Sequence, residues 1–207
     1  LMDNKVFKKW NKLFGYGLFF IALLTFGITV EPTASFWDCA EYIATSAKLQ
    51  VGHPPGAPLF QMMGAFFSIF ASSPDQIALM VNFMSVISSA TTVLFLFWTI
   101  TLLLKKIYNI KSFDNSIKRI SFFGSASIGT LAFCFSDSFW FNAVEAEVYA
   151  MATCLMSIMF WLSLKWESEM NTPRGDRWLV LISFLVGLSF GVHFMALLTI
   201  PAMGMLY

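Results

Sequence analysis

Five apolar segments, each long enough to cross a lipid bilayer, occupy most of this 207-residue chain and leave room for few other architectures. They run over residues 13–30, 77–104, 120–140, 146–166 and 178–207. At 1.5 Å per residue the shortest reaches about 27 Å, close to the ~30 Å of a hydrocarbon core. Backbone polar groups in lipid need partners within the protein, so such segments are expected to be helices. Composition agrees: 57% of side chains are hydrophobic and 12% are charged, against about 25% charged in soluble domains. That is too little polar surface to cover a globule in water. The expected fold is an all-α integral membrane protein, a single transmembrane domain over residues 1–207.

The first segment follows Lys5, Lys8, Lys9 and Lys12, as a secretory signal would. It ends at Glu31-Pro32 without a small-x-small cleavage pattern, so a retained anchor is expected. The second is introduced by Ser73-Pro74-Asp75-Gln76, with Ser at the N-cap, Pro at the first helical position and Gln at the third. The fifth, at about 45 Å, is too long for one straight crossing. It is either a tilted helix broken near Pro201 or two short helices turning around Gly191-Val192-His193. Its apolar end at Tyr207 is what the N-terminal part of a longer chain would show.

Charge sets the orientation. With the N-terminus in the cytoplasm, Lys105, Lys106, Lys111, Lys118 and Arg119 fall in one inner loop, and Lys165, Arg174 and Arg177 in the next. With the four N-terminal lysines, every one of the 13 basic residues but Lys48 is then inside, as the positive-inside rule requires. The outer loops carry Glu31, Asp38, Glu41, Asp75, Asp137, Glu145 and Glu147. The basic residues lie spread through short inner loops, which argues against nucleic acid as a partner. Cys39, Cys134 and Cys154 have no CxxC spacing and point to neither a metal knuckle nor a disulfide framework.

The first outer loop, residues 31–73, is unusually rich in chemistry. Two stretches, 35–49 and 57–70, are too short to span and are expected to lie as interfacial helices along the outer surface. Between them Gly52-His53-Pro54-Pro55-Gly56 is expected to form a stiff, extended turn. Asp38 and Glu41, three residues apart, share a helix face. Beside Phe36, Trp37 and Tyr42 one of these carboxylates would be desolvated and raised in pKa, which suits a general base. The alternative is capping, because Ser35-x-x-Asp38 and Asp38-x-x-Glu41 both resemble capping boxes. His53 is either a phosphate-contacting group or a polar turn residue. Glu145 and Glu147 either line a site or stabilise the start of the fourth segment. His193, near the outer half of the fifth, is either functional or packed against a helix carbonyl. Three separated segments thus bring ionisable groups to one membrane face, where a substrate with a lipid tail and a polar head would bind. P-loop, GxGxxG, HExxH and GxSxG patterns are absent, which argues against nucleotide-driven transport and the commoner hydrolases.

The run 31–60, EPTASFWDCAEYIATSAKLQVGHPPGAPLF, together with NAVEAEVYA (142–150) and GLSFGVHFMALLTIPA (187–202), resembles a family of bacterial membrane proteins formerly of unknown function. That family is related to protein O-mannosyltransferases and has the GT-C glycosyltransferase fold. The resemblance implies a GT-C-like helix bundle in the inner (cytoplasmic) membrane with its active face periplasmic. It implies transfer of a sugar, mannose or another hexose, from a polyprenyl-phosphate carrier to Ser or Thr of exported proteins. By position in the first outer loop Asp38 would be the catalytic residue, with Glu41 second. His53, Pro54, Pro55 and Gly56 would shape the carrier or acceptor site, and Glu145, Glu147, Tyr149 and His193 would line it. Some GT-C enzymes use a divalent cation, and dry carboxylates near His53 would suit one. The competing functions are a transporter or flippase for a lipid-linked carrier, and a non-catalytic membrane scaffold.

Overall fold

The computed structural model describes residues 2–110, 112–113 and 115–206, with side chains from residue 5 onward, so that Lys111 and Tyr207 lie outside the described residues. Regular structure among the described residues is entirely helical. Helix α1 spans Met2–Ile28, α4 spans Ile77–Ile107 and α7 spans Val148–Glu169. These three are long and apolar enough to cross a membrane, so the protein is a multi-pass membrane protein. Central α4 packs against α1 and α7. Helix α1 begins well before the apolar run at residue 13, so its lysines are helical.

The third apolar segment is not the single helix expected over 120–140. Helix α5 (Ser116–Cys134) ends and α6 (Asp137–Ala143) leaves at 69°. Ser136 is extended, at φ −71° and ψ 141°, with an acid at the next position, which is the composition of a helix start. The bend folds α6 over the end of α1. Trp140 Nε1 donates to Thr29 Oγ1 at 3.2 Å, and Phe26 meets both the Phe139 and Trp140 rings edge-on. Counted as one broken span, α5–α6 is the fourth crossing.

The fifth segment also breaks, and it does so around Gly191-Val192-His193. Helix α8 (Gly175–Ser189) gives way to a 3₁₀ turn, Phe194–Leu198, and then to α9 (Thr199–Gly204). At 15 residues α8 covers about 22 Å, less than a bilayer core.

The first outer loop contains α2 (Cys39–Lys48) and α3 (Pro58–Ser68), slightly shorter than expected, packed on each other and on α4. A short 3₁₀ turn, Pro74–Gln76, leads into α4. There Gln76 Oε1 accepts from the Ser72 backbone N–H at 3.2 Å, so the glutamine reaches back as a capping residue does. Two cores divide the molecule. One joins α1, α4, α5 and α6 around Phe26, Phe97 and Phe123. The other joins α2, α3, α4, α7 and the 194–198 turn around Tyr42, Phe60, Met84 and Met159, and it forms the floor of the acidic end.

Candidate functional site

The acidic end is built around Asn82, an amide buried completely on α4. Its Nδ2 donates to the carbonyls of Glu31 at 2.6 Å and Thr33 at 2.8 Å. Its Oδ1 accepts from the Ala146 N–H at 2.8 Å and faces the Cys39 thiol at 3.7 Å. One side chain therefore ties the start of the first outer loop, α2 and the approach to α7. The Glu31 N–H donates to the Val144 carbonyl at 2.9 Å, and Ser35 Oγ donates to Glu145, which adds two further ties between these loops. Asn82 was not among the expected site residues. Its signal is a lone carboxamide inside an apolar span, where a polar group needs a partner.

On this frame Asp38, Glu41 and His53 converge. Asp38 precedes α2 but makes no side-chain cap bond, and Glu41 turns away from the helix start. Capping boxes thus do not account for either acid. Glu41 Oε1 accepts from the His53 backbone N–H at 2.6 Å, and its Oε2 accepts from His53 Nδ1 at 3.0 Å. His53 Nε2 then lies 3.8 Å from Asp38 Oδ2. Gly52 makes the clasp possible, because a Cβ there would fall 2.9 Å from Gln61 Nε2 and 3.1 Å from Glu41 Oε1. The turn after His53 is closed, not extended: the Gly56 N–H donates to the His53 carbonyl at 2.9 Å across a cis Pro54–Pro55 bond. Pro54 and Pro55 are exposed. Just before Asp38, Trp37 takes φ 64°, a conformation bulky side chains rarely adopt and one that recurs where a functional group must be aimed.

The desolvated carboxylates lie elsewhere than expected. Asp38 is exposed and Glu41 half-exposed, whereas Glu145 and Glu147 are 3% and 5% exposed. Hydrogen bonds from the His53 backbone and ring hold Glu41 below its ordinary pKa, and the same ring bond raises His53. Burial, reinforced by Glu145 and Asp38, pushes Glu147 up to about 7, against N–H groups of Asp38 and Val148 that favour its charge. Glu145 is also raised by burial, with the Ser35 bond opposing. Glu147 occupies the N-cap position of α7 and makes no side-chain cap bond.

Tyr42 completes the group. Its ring lies 6.0 Å from His53 and 5.1 Å from Phe60, and burial, followed by the charges of Glu147 and Asp38, pushes its hydroxyl up to about 12. A neutral phenol beside three carboxylates is a hydrogen-bond donor, a part that the sequence disguises as apolar packing. Tyr149 and His193 pair alongside, with ring centroids 5.2 Å apart. His193 Nδ1 accepts from the Met195 N–H at 3.1 Å, so this histidine caps the 194–198 turn. The break before it is tied to α3, because the Gly191 carbonyl accepts from Leu59 N–H at 2.7 Å and Phe60 N–H at 3.3 Å. A Cβ on Gly191 would meet Leu59 Cβ at 2.9 Å, so this approach requires glycine.

Asp38, Glu41, His53, Tyr42 and Glu147 therefore form one cluster with Tyr149 and His193 beside it, while Glu145 serves the Ser35 tie. Ligand atoms of Asp38, Glu41 and His53 lie within 4.8 Å of one another, and two carboxylates with an imidazole suit a divalent cation. The carboxylates of that set are wet, contrary to expectation.

Residues 38–207, a stretch that contains every candidate residue, match the sequence model of the protein O-mannosyl-transferase TMEM260 N-terminal domain. A Dictyostelium discoideum protein named protein O-mannosyl-transferase tmem260 is 24% identical over 162 residues, covering 78% of this chain and 18% of that protein. The Mus musculus protein O-mannosyl-transferase TMEM260 is 26% identical over 167 residues, covering 79% of this chain and 21% of the mouse protein. The chain thus spans about a fifth of the length of these curated relatives. No solved structure matches it.

Proposed function

Because the chain belongs to the protein O-mannosyl-transferase TMEM260 N-terminal domain family, we propose that the protein is a GT-C type protein O-glycosyltransferase of the inner membrane. It transfers mannose or another hexose from a polyprenyl-phosphate carrier to Ser or Thr of exported proteins. The N-terminus is cytoplasmic and the reaction takes place at the periplasmic face. The observation that carries this is Asp38: an exposed carboxylate without a capping bond, 3.8 Å from a histidine that Glu41 grips at two points.

The side chains divide the work of a single displacement with inversion. The acceptor hydroxyl oxygen attacks the anomeric carbon as its proton passes to Asp38. The bond from that carbon to the carrier phosphate oxygen breaks, and polyprenyl phosphate leaves with the electron pair. His53, raised in pKa by Glu41, places positive charge beside the departing phosphate. The neutral Tyr42 hydroxyl keeps a proton to donate to substrate, and Tyr149 and His193 bound the space for carrier or acceptor. A divalent cation, when bound by Asp38, Glu41 and a neutral His53, would supply positive charge toward the phosphate in place of the imidazolium. Glu41 acts as a positioning residue here, since both its oxygens are engaged by His53.

The test is mass spectrometry of exported proteins from cells carrying the full-length protein, its deletion, or Asp38→Asn. Deletion should strip hexose from Ser/Thr sites, and Asp38→Asn at normal protein level should fail to restore it, consistent with a base worth about 10²- to 10⁴-fold. Restoration by Asp38→Asn but not by Glu147→Gln would move the base to Glu147. Glycans unchanged in the deletion would end the transferase assignment and leave a transporter or scaffold.

A further inference from the structure

At the end of the bundle opposite the carboxylates lies a second feature that the transferase chemistry does not use. Lys105 is about 35 Å from Asn82 along α4, at 1.5 Å per residue. Around it α1, α4 and α7 enclose a cleft of about 910 Å³. Lys8 and Lys12 enter it from α1, Lys105 and Lys106 from α4, and Lys165 from α7. Glu167 is the one carboxylate among the described lining residues, and it is already paired with Lys106. Glu169, one turn beyond Lys165, accepts from Trp178 Nε1 at 3.0 Å.

The floor of the cleft is apolar. Phe7, Trp98 and Trp161 line it, and two of these rings carry a lysine. Lys105 Nζ sits 4.6 Å from the Phe7 ring centroid, and Lys165 Nζ sits 5.4 Å from that of Trp161. Positive-inside bias explains why this end is basic, but not why the ammonium groups converge from three helices over an aromatic floor. Lysines bind phosphate as point charges, and basic pockets between membrane helices suit lipid headgroups. The mixed lining asks for a ligand that is anionic at one end and apolar at the other.

From these features we propose that the α1–α4–α7 cleft binds the phosphate headgroup of an anionic lipid, with the acyl chains running along the helices. This site is separate from the carboxylate cluster, and its occupancy does not depend on the transferase chemistry.

Native mass spectrometry of the purified protein in neutral detergent tests it, with phosphatidic acid, phosphatidylcholine of the same chains, and inorganic pyrophosphate as probes. Phosphatidic acid should be retained and phosphatidylcholine lost. Lys105→Gln with Lys165→Gln should weaken retention about fivefold for each lysine removed. The Arg versions of both should keep it. Lys9→Gln removes an exposed lysine outside the cleft and should leave binding unchanged. Equal retention of the two lipids would overturn the proposal, as would a loss with Lys9→Gln equal to that with the cleft variants. Pyrophosphate bound as tightly as phosphatidic acid would show a soluble anion to be the ligand and would reject the lipid.

Discussion

Two glutamates of this site behave oppositely: Glu41 is half-exposed and held ionised by His53, while Glu147 is buried and reluctant to ionise. The second has a measurable consequence. Its folded pKa of about 7 stands above the ordinary 4.5, so between those values the folded protein keeps a proton that the unfolded one releases. Stability should therefore fall as pH rises through that window and level off above it. Glu147→Gln should remove the fall, raising stability near pH 8 by about 1–3 kcal/mol and changing little near pH 4. Thermal unfolding in detergent across this range would show it, and parallel curves for the two proteins would refute it. Asp38, Glu41 and His53 were legible in the sequence because one short loop carries all three. Glu147 was legible as a lining residue but its burial was not, and the place of Tyr42 in the cluster was hidden, because what a first-turn acid or a phenol does depends on what another segment lays over it.

Among the elements, α4 has the widest duty. Asn82 leaves Ala146 N–H and two carbonyls of the first loop without partners if it is lost, and the site is buried. Asn82→Leu should cost about 2–4 kcal/mol, the scale of several unmade buried hydrogen bonds. It should also speed amide exchange around Glu31–Ser35 and Ala146 while the core of α1, α4 and α5 stays protected. Uniform exchange throughout would show instead that α4 had moved as a whole. Long apolar runs revealed α1, α4 and α7 directly, since length and hydropathy need no tertiary information. The breaks were harder. Ser136-Asp137 is a helix start hidden inside an apolar run, and hydropathy does not weigh a cap. Around Gly191 the sequence offered a turn, but the ties to Leu59 and Phe60 that hold it come from a loop more than a hundred residues earlier.

Across the whole molecule, the candidate-site carboxylates gather at one end and most of the lysines at the other, which makes orientation testable with one reagent. An impermeant maleimide should label Asp75→Cys in intact cells and Lys9→Cys only after permeabilisation. Cys39 and Cys134 are buried, and the unsubstituted protein serves as the blank. Equal labelling from one side would refute the proposed orientation. The Asn82 knot also imposes a schedule on biosynthesis. Its last partner, Ala146, lies 64 residues downstream. At about 5–20 residues per second, the ribosome needs several seconds to deliver it. During that interval α4 is in the membrane with half of its amide unanswered, an interval in which a membrane insertase or chaperone would have something polar to hold.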